Sequence, residues 1–95
     1  MQYIALMRRR NESYTDEQFA PFIEAERQQA RQLYIDGVVR QIWHRDDKPG
    51  ACLLLEAASA DEARAKVQTL PLVQADMLEL EMLVPLKPYA GFGPR

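Results

Sequence analysis

Residues 38–57 read Val-Val-Arg-Gln-Ile-Trp-His-Arg, then Asp-Asp-Lys-Pro-Gly, then Ala-Cys-Leu-Leu-Leu-Glu-Ala, and this stretch predicts a β-hairpin. Its middle five residues are rich in turn formers, whereas the flanking segments contain β-branched, aromatic and other apolar residues. The two strands are expected over residues 38–45 and 51–57. The same stretch holds the only Trp, the only His and the only Cys of the chain, which makes it a candidate for function as well.

The run Leu53-Leu54-Leu55 predicts that the sheet is covered on both faces. Successive side chains of a strand point to opposite faces, so this strand is apolar on both sides. Two helices cover only one face of such a sheet, and a second copy of the chain is therefore expected on the other. A 95-residue chain also builds a small core by itself, and oligomerisation is a common remedy.

The rest of the chain predicts two more strands and two helices. Thr15-x-x-Gln18 and Ser59-x-x-Glu62 are capping boxes, each typical of a helix start. Alternating apolar and polar residues predict the outer strands. The expected additions are strands over 2–8 and 77–84 and helices over 16–36 and 60–69.

The resulting order is βαββαβ, which predicts an α+β, ferredoxin-like fold with a four-stranded antiparallel sheet. A single domain is expected over residues 1–95, with residues 85–95 as an extended C-terminal tail. In this topology the first and third strands are central and the second and fourth are edges. The apolar third strand and the acid-containing fourth strand suit those places.

The composition argues against several classes of protein. Twelve basic and 14 acidic residues are interspersed and give a net charge of −2, which disfavours nucleic-acid binding. A single Cys allows no internal disulfide framework, and a single His makes a metal site improbable. No segment resembles a signal peptide or approaches the roughly 20 apolar residues that span a bilayer. A cytoplasmic protein with no membrane partner is therefore expected.

One acidic residue interrupts the apolar stripe of the first helix. Glu26 follows Phe22 and Ile23 and precedes Ala30 and Tyr34 at the spacings of three and four that define one helix face. A carboxylate there lies either at the margin of the stripe, with its head in water, or inside a cleft. Burial in a cleft would raise its pKa toward the working range of a general acid or base.

Two polar residues of the hairpin are expected near this acid. Simple alternation places Arg40 and His44 on one face of the second strand, about 13 Å apart at ~3.3 Å per residue, and Trp43 on the other face. Together with Glu26, they would supply a base, a second proton carrier and an anion clamp. The alternative is structural: an ion pair between Arg40 and Glu26, with His44 exposed at the strand end.

These residues resemble the pattern of the muconolactone Δ-isomerase family. The pattern consists of the helix acid at Glu26, the run Gly37-Val-Val-Arg40-Gln-Ile-Trp43, and Leu70-Pro71-Leu72 after the second helix. The similarity extends over about residues 19–88, whereas residues 7–15 depart from the family. The ending Lys-Pro-Tyr after the last strand also resembles the YCII-related domains, a neighbouring group with the same architecture.

The resemblance implies a homodimer in which two sheets face each other as a dimeric α/β barrel, and possible assembly into a larger homo-oligomer. It implies a small-molecule substrate and no metal or organic cofactor. The family moves a double bond in a small lactone acid by abstracting a proton and returning it. The resemblance carries Glu26 and Arg40 over by position as catalytic groups. His44 is expected to join them from its place on the same strand, and Tyr34, Trp43 and Phe22 are expected to bind the substrate.

Two other functions remain open from the sequence. One is a non-catalytic dimeric α/β-barrel protein that binds a small ligand or serves in assembly. The other is a cofactor-free oxygenase on the same fold, with a pocket lined by Trp43 and His44. A buried Glu26 that shares a pocket with Arg40 or His44 would favour the isomerase, whereas a purely apolar pocket would favour simple binding. An oxygenase would consume dissolved oxygen, and an isomerase would not.

Overall fold

The structure, a computed structural model, describes residues 1–92. Its elements confirm the predicted βαββαβ order and add one short helix before the last strand. In chain order they are β1 (Gln2–Arg9), α1 (Asp16–Ile35), β2 (Val39–His44), β3 (Gly50–Glu56), α2 (Ala60–Val67), α3 (Pro71–Gln74) and β4 (Leu78–Leu86). The predicted α+β, ferredoxin-like fold is therefore confirmed. Among the helices of residues 1–92, none is both long and apolar enough to cross a membrane.

The four strands form one antiparallel sheet in the order β2-β3-β1-β4, with β1 and β3 in the centre as predicted. The predicted hairpin is confirmed, since Ile42 lies opposite Leu53 and Trp43 opposite Cys52. Gly50 begins β3 with φ +154°, and a Cβ there would lie 2.1 Å from the Met7 carbonyl oxygen. Only glycine therefore allows the hairpin to approach β1 this closely.

Both longer helices begin where the sequence predicts. The Thr15 hydroxyl accepts a hydrogen bond from the Gln18 N–H, and the Gln18 side chain accepts one from the Thr15 N–H at 2.8 Å. At α2 the Ser59 hydroxyl accepts from the Glu62 N–H at 3.1 Å, but the Glu62 carboxylate accepts from the Ala58 N–H, so the predicted capping box is only half formed. These bonds satisfy donors that the first turn of a helix leaves free. Gly37, with φ +79°, provides the left-handed turn after α1.

The core lies between the helices and one face of the sheet. Alternate residues of the central strands, such as Ala5, Met7 and Leu53, are at most 2% exposed, and Phe19 of α1 is fully buried among them. This spacing is the period of two that strand geometry imposes. Because Leu53 is buried on this side, its neighbours in β3 turn to the other face.

The second face of the sheet is apolar and is not covered by any element of residues 1–92. The register places Ile4, Leu6 and Leu54 on it, and all three are only partly buried. Trp43 and Met82, on the two edge strands, are 47% and 53% exposed. The two-sided apolar character predicted for β3 is thus present, with one side free for a partner.

A β-bulge corrects the predicted faces of β2. The register shifts between Val39, which lies opposite Leu55, and Gln41, which lies opposite Leu54, so Arg40 has no opposite residue in β3. Such an extra residue reverses the alternation that follows it. Arg40 and His44 therefore do not follow one another on a regular strand face, and the prediction that simple alternation aligns them is wrong.

A second bulge changes β4. Leu80 lies opposite Met7 and Met82 opposite Leu6, so Glu81 is the additional residue. Simple alternation would place Leu80 and Met82 on one face, but the bulge turns Leu80 toward the helices and Met82 toward the bare face. Strand β4 also continues to Leu86, two residues into the segment predicted as a tail, because Pro85 and Leu86 still pair with β1. The last tail residues, 93–95, lie outside the described part.

Candidate functional site

A cleft with a volume of about 910 Å³ lies between α1 and the helix-covered face of the sheet, along the β2 edge. One wall is the stripe of α1 that recurs at intervals of three and four. Its members are Ile23, Glu26, Arg27, Ala30, Arg31 and Tyr34. The opposite wall contains Ile42, His44 and Leu53, and Leu70 and Leu72 contribute from the segment around α3. The surface of the cleft is mainly apolar, as in many small-molecule sites, and charged side chains also line it.

Glu26 is the partly buried acid of this cleft. Its Oε1 accepts a hydrogen bond from the Leu72 N–H at 2.9 Å. Burial raises the pKa of the Glu26 carboxyl above its ordinary value, and the hydrogen bond from Leu72 opposes that rise in part. Among residues 1–92 no group donates a hydrogen bond to its Oε2. One oxygen is therefore held while the other can interact with a ligand.

The hydrogen bond to Leu72 explains why the acid is held at this position. Helix α3 begins with Pro71, which has no N–H, and its N-cap residue Leu70 has no side-chain group that could cap the helix. The Leu72 N–H is the next donor that the helix leaves free, and Glu26 satisfies it from another element. The two separate parts of the family pattern, the helix acid and Leu70-Pro71-Leu72, thus meet through one hydrogen bond.

The structure brings two of the three predicted catalytic residues to the cleft. His44 is exposed at the end of β2, opposite Ala51, as the structural alternative expected, and it also lines the cleft with Glu26. Arg40 is exposed and does not line it, because the bulge takes this residue out of the regular strand. The expected convergence of all three is therefore not seen within the protomer.

The predicted substrate-binding residues divide in the same way. Tyr34 lies in the helix wall and is 64% exposed. Trp43 contributes to the rim of the cleft, although its register opposite Cys52 directs it to the bare face of the sheet. Phe22 packs against the core and does not line the cleft. Their roles in binding stay predictions.

Arginines of the cleft are the residues that the sequence reasoning missed. Arg9, Arg27, Arg31 and Arg45 all line it, and Glu26 is the only carboxylate among the described lining residues. Arg27 and Arg31 follow Glu26 and Ala30 directly, so they extend the apolar stripe at its margin. Their positions next to Glu26 and Ala30 were the sequence signal that could have identified them as cleft residues.

Two of these arginines are already engaged. The Arg9 guanidinium lies over the Phe19 ring, 3.8 Å from its centroid, and 3.7 Å from Asp16. Arg45 forms ion pairs with Asp47, at 2.7 Å, and with Glu81. The hydrogen bonds that the Arg45 guanidinium donates, together with its charge, hold the pKa of Asp47 at about 2. These pairs tie the hairpin turn to the bulge of β4 across the end of the sheet.

No metal-binding cluster is found in the described part. Among residues 1–92, no three side chains of His, Cys, Asp or Glu converge in a way that could hold a metal ion. The single Cys52 lies partly buried in β3. The expectation of chemistry without a cofactor therefore remains a prediction from the resemblance.

Comparison with known proteins identifies the family. The family model described as muconolactone delta-isomerase matches residues 1–90, which includes every strand and helix described above. A search of curated proteins gives no match. The match also includes residues 7–15, which were expected to depart from the family pattern. On this evidence the chain belongs to the muconolactone delta-isomerase family.

Proposed function

We propose that this protein is an isomerase that shifts a double bond in a small lactone acid, and that Glu26 carries the proton. The observation that supports the proposal is the partly buried Glu26 carboxyl, with a raised pKa, held in the cleft by the Leu72 N–H. A carboxyl with a raised pKa is both a stronger base than an exposed glutamate and a better proton donor after the first transfer.

The reaction needs one group that removes a proton and returns it. The Glu26 carboxylate would take a proton from a ring carbon next to the double bond, and the C–H electron pair would delocalise toward the lactone carbonyl oxygen. The protonated Glu26 would then give the proton to the ring carbon next to the carbonyl, at the other end of the original double bond. This step moves the double bond and restores the carboxylate. His44, in the same cleft, is the candidate donor to the developing oxyanion.

A homodimer is part of this proposal. The bare face of the sheet carries Leu54, Trp43 and Met82, and such an apolar area on a small domain favours a partner. A second copy that places its own bare face against this one would form the dimeric α/β barrel. The cleft lies on the other side of the sheet, so the dimer would leave it open to substrate.

The isomerase proposal is tested with muconolactone as substrate. We expect turnover by the wild-type protein and a loss of about 10²-fold or more in Glu26→Gln, because Gln retains the hydrogen-bond acceptor but cannot carry the proton. The matched control is Glu24→Gln, the same chemical change at an exposed position of α1, and it should behave as wild type. A Glu26→Gln variant as active as wild type would contradict the proposal.

A binding protein without catalysis is the second candidate. It is favoured by the hydrogen bond between Glu26 and Leu72, since capping α3 is by itself a sufficient structural reason for an acid at this position. In that case the wild-type protein would bind a lactone acid without converting it. Binding by calorimetry together with product analysis of the same samples separates the two candidates.

A further inference from the structure

We propose that Arg27 and Arg31 form the carboxylate-binding site of the cleft, so that it takes an anionic lactone in preference to a neutral one. This inference rests on the proposed function for the identity of the ligand. It assigns the anion clamp to α1, in place of Arg40 on β2. The binding itself can be measured without turnover.

The spacing of the two arginines suits one carboxylate. Residues four apart on a helix lie one turn above each other, with Cβ atoms about 5–6 Å apart. Arg27 and Arg31 both line the cleft and both are exposed, whereas Glu26 and Ala30 on the same wall are partly buried. The helix wall thus has an outer row of cations and an inner row that contains the acid.

The two arginines differ from Arg9 and Arg45, the other arginines of the cleft, in their ion pairing. Neither forms an ion pair with a carboxylate of residues 1–92, in contrast to Arg45 with Asp47 and Glu81. The chain as a whole has a net charge of −2, so a local excess of arginine at this cleft is not a general property of the surface. Guanidinium groups at the mouth of an apolar cleft attract carboxylates and bind them in a fork geometry.

This arrangement gives the ligand an orientation. An acid bound with its carboxylate on Arg27 and Arg31 would place its charge at the mouth and its lactone ring toward Glu26. The ionised Glu26 carboxylate repels the carboxylate of the ligand. Binding of the ligand carboxylate to Arg27 and Arg31 would keep the two negative charges apart. A neutral lactone would lack this anchor and would bind without a fixed direction.

The test is calorimetric binding of two probes at neutral pH. The first is the saturated γ-butyrolactone that bears one acetate arm, which has no double bond to move, and the second is its methyl ester. The wild-type protein should bind the acid more tightly than the ester. The double variant Arg27→Gln/Arg31→Gln should weaken binding of the acid by about tenfold to hundredfold, with little change for the ester.

Two single variants serve as matched controls. Arg40→Gln tests the position that the family pattern suggested, and Arg64→Gln removes an exposed arginine of α2 that does not line the cleft. Both should bind the acid as the wild type does. The proposal is overturned if the acid and ester bind equally to wild type, if the double variant keeps full affinity while its thermal unfolding is unchanged, or if Arg40→Gln alone causes the loss.

The same variants distinguish this inference from the proposed reaction. Arginine-dependent binding of the acid without any turnover of muconolactone would contradict the isomerase and support the anion site. Turnover by the double variant with an unchanged KM would support the isomerase and contradict the anion site. If both proposals are correct, the double variant raises KM for muconolactone and keeps most of kcat, because the arginines bind the part of the substrate that does not react.

Discussion

Replacing Glu26 separates its role as a helix cap from the cost of burying its charge. Glu26→Ala leaves the Leu72 N–H without its partner, and loss of a capping acceptor costs about 1 kcal/mol. Glu26→Gln keeps an oxygen that can accept from Leu72 and removes only the charge. We therefore expect the Ala variant to be less stable than the Gln variant by about 1 kcal/mol, or about 4–8 °C in Tm for a domain of this size.

The dependence of the protein's stability on pH has a definite sign. Because the folded protein raises the pKa of Glu26 above its ordinary 4.5, the folded state holds this proton more tightly than the unfolded chain does. The stabilising contribution is complete below 4.5 and is lost as the pH rises through the folded-state pKa. Wild type should therefore lose stability relative to Glu26→Gln as the pH rises through this interval, and Glu26→Gln should be the more stable protein at neutral pH.

Urea unfolding from about pH 4 to about pH 8, at one protein concentration, measures these differences. Glu24→Gln on the exposed side of α1 is the control and should show no comparable trend. If Glu26→Gln is less stable than wild type at neutral pH, or if the gap closes as the pH rises, the pKa of the Glu26 carboxyl is not raised in the folded protein.

Three further variants test the fold and the assembly. Gly50→Ala should destabilise the protein by about 2 kcal/mol or more, measured by thermal unfolding, because its Cβ would collide with the Met7 carbonyl. Arg45→Gln should flatten the loss of stability in acid, measured by urea unfolding. The ion pair depresses the pKa of Asp47 to about 2, so its contribution is present above 3.8 and is lost as the pH falls through that depressed value. Met82→Lys should convert the proposed dimer to monomers in sedimentation equilibrium, because it places a charge on the bare face.

Each of these variants has a matched control. Gly91→Ala also falls at a positive φ, +79°, but its added Cβ meets nothing within 4 Å, so it tests backbone strain alone and should cost less stability than Gly50→Ala. Arg64→Gln removes a similar charge without an ion pair among residues 1–92 and should keep the acid dependence of wild type. Ile35→Lys changes an apolar residue that is 67% exposed at the end of α1, and it should leave the assembly intact. A monomeric wild type would contradict the proposed dimer outright.

The sequence predicted the elements well because their signals are local. The capping residues Thr15 and Ser59 lie next to the helices they begin, and apolar alternation identified the strands. The unusual position of Glu26 was also visible, because an acid on an apolar stripe contradicts the pattern around it. These features depend on residues within a few positions of each other.

The remaining details depend on contacts between distant residues. A bulge adds a residue at Arg40 without any change in composition, so simple alternation wrongly placed this side chain on one face with His44. The Leu72 N–H that holds Glu26 is 46 residues away, and only the fold brings the two groups together. Arg27 and Arg31 were not predicted as site residues, because the wall of a cleft cannot be recognised before the sheet is in place.

The pH dependence of kcat/KM for muconolactone tests whether Glu26 carries the proton. For the wild-type protein we expect kcat/KM to rise with pH through a pKa above 4.5, which would belong to the free carboxyl in the cleft. Glu26→Gln should lose this limb together with about 10²-fold or more of the rate, whereas Glu24→Gln should retain both. A wild-type profile without that limb, or a Glu26→Gln variant that keeps it, would contradict the assignment of Glu26 as the proton carrier.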